Sequence, residues 1–322
     1  MKRSALPVLL ATGALVLTGC SGGTNATDGA EASGPASDSP VTLAAPAGQS
    51  KDITFDSQPE NLVMDCYAYS SLKEYGVTPK ALFGYDCENP FVMGDTDISG
   101  IERIGTDGEI DMEKLAALKP DAVIGQGSEK GWSWFKEDVN AQLTKVSTFV
   151  PLPKTDSIDE GITATRDLAK FFGGDVTSSE VEQSDKDYEQ AKKDFKAAVG
   201  KKDLSFMLTS PTKESLYTAV GFPQADLLQE QGAKITGAEP PKEGNPWGDV
   251  AWEKASTYPA DVILVEGYSE DKKFSTEMWD SLPAVKAEQL GSWGSKGAMT
   301  ARHYADWLQD ITELTEKSSK VS

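Results

Sequence analysis

Aromatic and acidic side chains collect where the apolar runs of this sequence end. Tyr67 lies just past the run 61–65, Tyr85 and Asp86 close the run 80–85, and Gln126, Trp132 and Trp134 follow the run 121–125. In the second half Tyr217, Trp247, Glu266 and Tyr268 hold comparable places, with Trp293 ahead of the last helical pattern and Arg302 near that helix's start. The chemistry such a set can do is recognition: Tyr and Trp offer rigid apolar area with a polar tip, which suits a bulky organic ligand. Core packing is the competing use of every one of these rings. Bond-breaking chemistry finds little support. A serine hydrolase would need a base, yet His303 is the sole histidine and no Gly-x-Ser-x-Gly turn presents a nucleophile. No phosphate-cradling Gly-x-x-x-x-Gly-Lys-Ser/Thr loop occurs either. One histidine is too few for a zinc or manganese site, so no catalytic residue, protein-held metal or cofactor is expected.

Strands and helices must carry these side chains. The runs 61–65, 80–85, 121–125 and 145–150 alternate with helical patterns at 70–75, 111–118 and 134–142, as parallel strands with crossover helices do. One helix-to-strand step occurs twice: DMEKLAALKPDAVIG at 111–125 nearly returns as AWEKASTYPADVILV at 251–265. Glu113 and Glu253, Lys114 and Lys254, Asp121 and Asp261, and Gly127 and Gly267 align at one offset. Each copy reads as a short amphipathic helix feeding a strand buried on both faces. Between the copies, 178–199 carries Val181, Tyr188, Ala191, Phe195 and Ala198 on one stripe, with Ser178 or Ser179 as cap and Gly200 as stop. That helix would span about 30 Å. The expected fold is therefore α/β, with two Rossmann-like lobes of mostly parallel sheet joined by a single long α-helix. The lobes are placed at 51–174 and 202–322 and the linking helix at 175–201; the second lobe holds strands at 204–209, 215–220 and 261–266 and a helical tail at 298–317. In such layers a ligand sits beyond the carboxyl ends of the strands, here between the lobes.

The chain begins with Lys2 and Arg3 ahead of the apolar run 5–17, which has the layout of a secretory signal and is too short for a permanent span. It closes on Leu17-Thr18-Gly19-Cys20, which resembles the lipobox of bacterial lipoproteins; this implies cleavage of 1–19 and lipidation of Cys20. Residues 20–50 are mostly Ser, Gly, Ala, Thr, Asp and Pro and read as a disordered tether. Losing Lys2 and Arg3 leaves 29 basic residues against 51 acidic ones, a net charge of −22. Such a balance argues against nucleic acid and weakly favours neutral or cationic ligands. Cys66 and Cys87 each follow an apolar run; if those are adjacent strands the two can bridge in an exported protein, the alternative being two free thiols.

The step 110–124, the later Tyr258-Pro-Ala-Asp-Val-Ile263 and Trp279-Asp-Ser-Leu-Pro-Ala-Val-Lys286 resemble the solute-binding lipoproteins of iron-siderophore and cobalamin ABC importers. The resemblance implies two α/β lobes bridged by one long helix, a monomer anchored by lipid to the outer face of the bacterial cytoplasmic membrane, and delivery to a permease dimer. It also implies that Glu113 and Glu253 dock on permease arginines; first-turn acids favoured by the helix dipole are the plainer reading. A mature chain with only Arg103, Arg166 and Arg302, of which Arg302 is expected at the cleft, is poorly equipped for anionic chelates. A ferric siderophore of the hydroxamate type is the expected ligand, with cobalamin or haem as alternatives. A lipid-anchored adhesion protein, with flat patches in place of a cleft, is the rival from another class.

Overall fold

The computed structural model describes residues 39–94, 96–241, 245–269 and 273–322. The predicted signal, Cys20 and the tether as far as residue 38 lie outside them. In the first lobe five strands pair in parallel in the order Glu102–Arg103, Ala81–Phe83, Leu62–Asp65, Ala122–Gly125, Thr148–Pro151. Alternate side chains leave this sheet on opposite faces. Leu62, Met64, Leu82, Ile124 and Val150 enter one core, whereas Val63, Ala81, Phe83, Val123 and Phe149 enter another. Burial on both faces is what makes these runs continuously apolar in sequence.

The second lobe centres on Ser205–Pro211, which pairs in parallel with Val262–Glu266 and Lys234–Ile235; Val262–Glu266 in turn pairs in parallel with Leu290–Trp293. Two antiparallel pairs, through Ser215–Thr218 to Gly248–Ala251, complete the sheet. Here too parity divides the core, with Phe206, Leu208, Val262 and Leu264 on one face and Met207, Ile263 and Val265 on the other.

The sequence repeat has a shared structural cause at its end. Asp121 donates its N–H to the Asn61 carbonyl at 2.8 Å and accepts the Asn61 N–H at 2.8 Å. Asp261 makes the same pair with Ser205, at 2.9 Å in both directions. In each lobe the aspartate thus ties the start of the repeated strand to the start of the central strand beside it. The helical parts differ in winding: Met112–Leu118 is an α-helix capped by Asp111, whereas Trp252–Thr257 is a 3-10 helix.

The linking helix runs Ser179–Lys202, two residues past Gly200; Asp203 in the left-handed region (φ 51°) ends it. Val181 belongs to a first-lobe core, and Tyr188, Ala191, Phe195 and Val199 belong to the second-lobe core beside the terminal helix Ala301–Lys317. One rigid rod is therefore embedded in both lobes. Part of the expected tether is ordered: Val41–Leu43 pairs antiparallel with Ile53–Phe55, and Leu43 packs into the first lobe. Its Val-Thr-Leu alternation is a three-residue signal too short to read without its partner strand. No helix among the described residues is long and apolar enough to cross a membrane.

Cys66 and Cys87 form a disulfide with Cα atoms 5.1 Å apart, as adjacent parallel strands permit. Closing a loop of this length constrains the unfolded chain by about 3 kcal/mol. Replacing both cysteines by serine is expected to lower the unfolding free energy by that order in urea melts; an unchanged midpoint would show that the bond constrains little.

Candidate functional site

A hollow of about 970 Å³ lies between the lobes, beyond the carboxyl ends of the first-lobe strands. Its first-lobe wall comes from Gly84, residues 86–91, Arg103, Thr106 and Asp107, and its second-lobe wall from Gly267, Tyr268 and Ser269. Glu266, at the end of Val262–Glu266, lines a smaller hollow of about 410 Å³ that shares Gly267 and Tyr268 with the first. Asp86 and Asp107 hold the wall in left-handed conformations, φ 59° and 49°. Non-glycine residues in that region are strained and gather at functional sites, and Asp tolerates it better than most.

Beside the hollow stands an aromatic cluster. Trp132 and Trp134 have ring centres 4.9 Å apart, and Tyr85 lies 5.8 Å from the first and 5.6 Å from the second. Tyr67 lies 5.9 Å from Trp134 and donates its hydroxyl hydrogen bond to Asp86, which joins the cluster to the hollow. The cluster is built on a short hairpin, Gly127–Ser128 with Gly131–Trp132, because the following helix begins only at Glu137 and not at 134 as the pattern suggested. Asn140 clamps that hairpin: its Oδ1 accepts the Trp132 N–H and its Nδ2 donates to the Trp132 carbonyl, both at 2.9 Å. A methyl group at position 131 would come within 2.2 Å of Asn140, so the clamp requires glycine there.

Behind the cluster lies Asp65, which sequence reasoning did not single out. It is fully buried, caps the helix Cys66–Leu72 through the Ala68 N–H at 2.7 Å, and accepts the Gln126 N–H and the Trp132 Nε1–H, each at 2.7 Å. Burial outweighs these donors and raises its pKa to about 6. Its only sequence signal is an acid closing an apolar run. Burial, the bond to Asp86 and the charges of Asp86, Asp65 and Glu266 push the Tyr67 phenol far above its usual range.

The structure sorts the remaining expected residues. Asp86 and Tyr268 line the hollow, and Gln126 is half-buried with its backbone on Asp65. Trp132 and Trp293 are fully buried, with Nε1 of Trp293 donating to the Thr209 carbonyl at 3.0 Å, so both are packing residues and not ligand walls; the Tyr67 ring is also buried, with its hydroxyl on Asp86. Trp247 packs on Phe222 and Trp293, and Tyr217 stands opposite Ser210 in the antiparallel pair. Arg302 is a correction: it is exposed on the terminal helix, in a separate hollow with Glu180, Asp187 and Asp306. The arginine that lines the interlobe hollow is Arg103, on a two-residue edge strand that no periodicity could reveal. Burial lowers its pKa, while the carboxylates of Glu88 and Asp107 pull the other way. With Asp86, Glu88 and Asp107 against Arg103, the wall is net acidic.

Glu113 and Glu253 occupy equivalent places. Asp111, the cap of the helix bearing Glu113, donates its N–H to the Ile104 carbonyl at the carboxyl end of the first sheet's edge strand. Ala251, just before Glu253, pairs with Ser215, beyond the point where Leu216 meets Pro211 at the carboxyl end of the second sheet's central strand. Both glutamates are exposed, and among the described residues neither has an ion-pair partner.

His303 is enclosed by Phe91, Tyr304 and Gly297, and burial together with Lys73 lowers its pKa to about 4. It therefore works against Asp65. Folded Asp65 takes up its proton near pH 6 and the unfolded chain only near 3.8, so acidification through that window stabilises the fold. Unfolded His303 takes up a proton near 6.5 and the folded one near 4, so the same acidification destabilises it. Between pH 7 and 4.5 each effect is about 2 kcal/mol and they oppose. Urea midpoints should show Asp65→Asn losing stability on acidification and His303→Gln gaining it, each relative to its own value at pH 7; variants that keep the wild-type pH slope would refute the assignment.

Residues 92–296 match a family model described as periplasmic binding protein. Among solved structures, DesE, a ferric-siderophore receptor protein from Streptomyces coelicolor, is similar at 21% identity with a TM-score of 0.75, over 87% of this chain and 99% of that one. FhuD from Vibrio cholerae, a siderophore-binding protein bound to Fe3+-Desferal, has 21% identity and a TM-score of 0.60, over 81% and 98%. Staphylococcus aureus SirA, complexed with staphyloferrin B, has 16% identity and a TM-score of 0.57, over 87% and 99%. At these identities the likeness is one of fold. No curated protein sequence matches the chain.

Proposed function

Because this chain belongs to the periplasmic binding protein family, we propose that it captures a ferric siderophore of the hydroxamate type between its lobes and delivers it to the permease dimer of an ABC importer. The observation that carries the reading is the interlobe hollow itself: large, walled by both lobes, flanked by half-buried Tyr85 and Trp134, and net acidic around a single arginine. Aromatic faces suit the organic shell of a chelate, and the acidic wall suits a neutral or cationic complex over a tricarboxylate or catecholate one. The similar proteins of known structure that carry ferric siderophores support the ligand class. In this reading the chelator fills the metal's coordination shell, so the protein need supply no iron ligand. Lipid at Cys20 would hold the monomer to the outer face of the cytoplasmic membrane, with the ordered domain at the end of its tether.

Titrating tryptophan fluorescence with ferric siderophores tests this. A ferric trihydroxamate should quench at submicromolar concentration, and ferric citrate and tricatecholate complexes should bind at least tenfold more weakly. Quenching by none of them, or preference for the anionic complexes, would overturn the reading.

A further inference from the structure

Lys296 extends from the second lobe over rings of the first. Its ammonium lies 5.1 Å from the centre of Trp134 and 5.9 Å from that of Tyr67. The loop that carries it is held by contacts on both sides of the lysine, at residues 294, 295 and 297. Gly294 lies against Phe91, whose ring a methyl group there would approach to 2.0 Å, and its carbonyl accepts the Gln224 Nε2–H at 3.0 Å. Ser295 donates its hydroxyl to Glu266, and Gly297 abuts the His303 ring, whose Nε2 a methyl group would approach to 2.3 Å. Lys296 itself is exposed and has no ion-pair partner among the described residues. Its position is therefore set by a rigid loop on one side and two ring faces on the other.

Negative charge surrounds those faces. Asp86 accepts the Tyr67 hydroxyl, and the charges of Asp86, Asp65 and Glu266 all act on the Tyr67 phenol. An aromatic face ringed by carboxylates is a cation site by its electrostatics, and a cation over such a ring is held strongly enough to order a flexible side chain yet weakly enough to be exchanged. We infer that the half-buried face of Trp134, backed by buried Tyr67, is a subsite for a cationic group of the ligand, a primary ammonium on the chelator being the simplest, and that Lys296 is its placeholder in the unloaded cleft. The ligand's arrival then displaces Lys296 into solvent, and the lysine costs cationic ligands affinity that neutral ligands keep. The identity of the ligand rests on the reading above; the subsite does not.

Two probes separate them. Pentylammonium and its neutral counterpart pentanol are titrated into wild type, Lys296→Met and Lys296→Met/Trp134→Leu, with tryptophan fluorescence as readout. Pentylammonium should act on Lys296→Met at least tenfold below its wild-type concentration, pentanol should not distinguish the two, and the double variant should lose the gain. Equal response of wild type and Lys296→Met to pentylammonium, or no response, overturns the subsite. In parallel, a ferric linear trihydroxamate with a free terminal amine should gain about tenfold in affinity for Lys296→Met while its N-acetylated form does not; equal gains also overturn it. If pentylammonium discriminates but neither chelate binds, the subsite stands and the hydroxamate assignment falls.

Discussion

Replacing Glu113 and Glu253 together by alanine is expected to reduce uptake of the ferric complex about a hundredfold or more while leaving its affinity for the isolated protein unchanged. The reason is geometric. Each glutamate follows the start of the helical segment that feeds its lobe's repeated strand, at the carboxyl-end edge of its sheet, exposed and without an ion-pair partner among the described residues. The rod Ser179–Lys202, embedded in both lobes, keeps their separation fixed. Two like charges so arranged can engage a two-fold partner at once, and the second contact forms at high effective concentration, an advantage of about 10²–10⁴ over either alone. Each single variant should therefore lose much of that advantage, and Glu113→Gln should behave as Glu113→Ala, because the charge and not the packing is used. Transport by whole cells, alongside binding by the purified variants, is the measurement. Wild-type uptake by the double variant would remove the docking role and leave the two residues as first-turn acids.

The second large effect separates two tryptophans that are two residues apart. Trp134→Ala is expected to weaken binding of the ferric complex by about 2 kcal/mol, roughly thirtyfold, as loss of an aromatic anchor does. Its melting temperature should change little, since the ring is only half-buried and lies beside Tyr67 under Lys296 of the other lobe. Trp132→Ala should instead destabilise the fold by about 3–5 kcal/mol. Trp132 is 1% exposed, packs between Phe83, Phe135 and Tyr85, and gives its Nε1–H to buried Asp65. Calorimetry on both variants tests each half: a stable Trp132→Ala, or full affinity in Trp134→Ala, would show that the two rings do not divide the work in this way.

The division between those tryptophans also marks how far sequence reading reaches. Position in a strand-end loop makes Trp132 and Trp134 equivalent on paper. Which ring turns inward is settled by Asp65 and by the Asn140 clamp, contacts that join residues distant along the chain. Arg103 and Arg302 show the same limit: one lies on a two-residue strand and the other on a strong amphipathic helix, so the visible pattern pointed to the wrong arginine. Phe91, Asp107 and Lys296 carry no local signal, because each acquires its role from the opposing wall or loop.

What the sequence determined by itself is whatever local pattern enforces. Continuous apolar runs required strands buried on both faces, the stripe Val181 to Ala198 required the linking rod, and the repeated Glu and Asp announced two matching lobes, each aspartate binding the neighbouring strand start. Tertiary structure alone decided which side chains meet across the lobes, that the second repeat winds as a 3-10 helix, and that Val41–Leu43 leaves the tether to pair with Ile53–Phe55. Backbone periodicity is fixed within a few residues by hydrogen bonding and burial, whereas a site assembled from separate loops depends on distances that exist only once the sheets have packed.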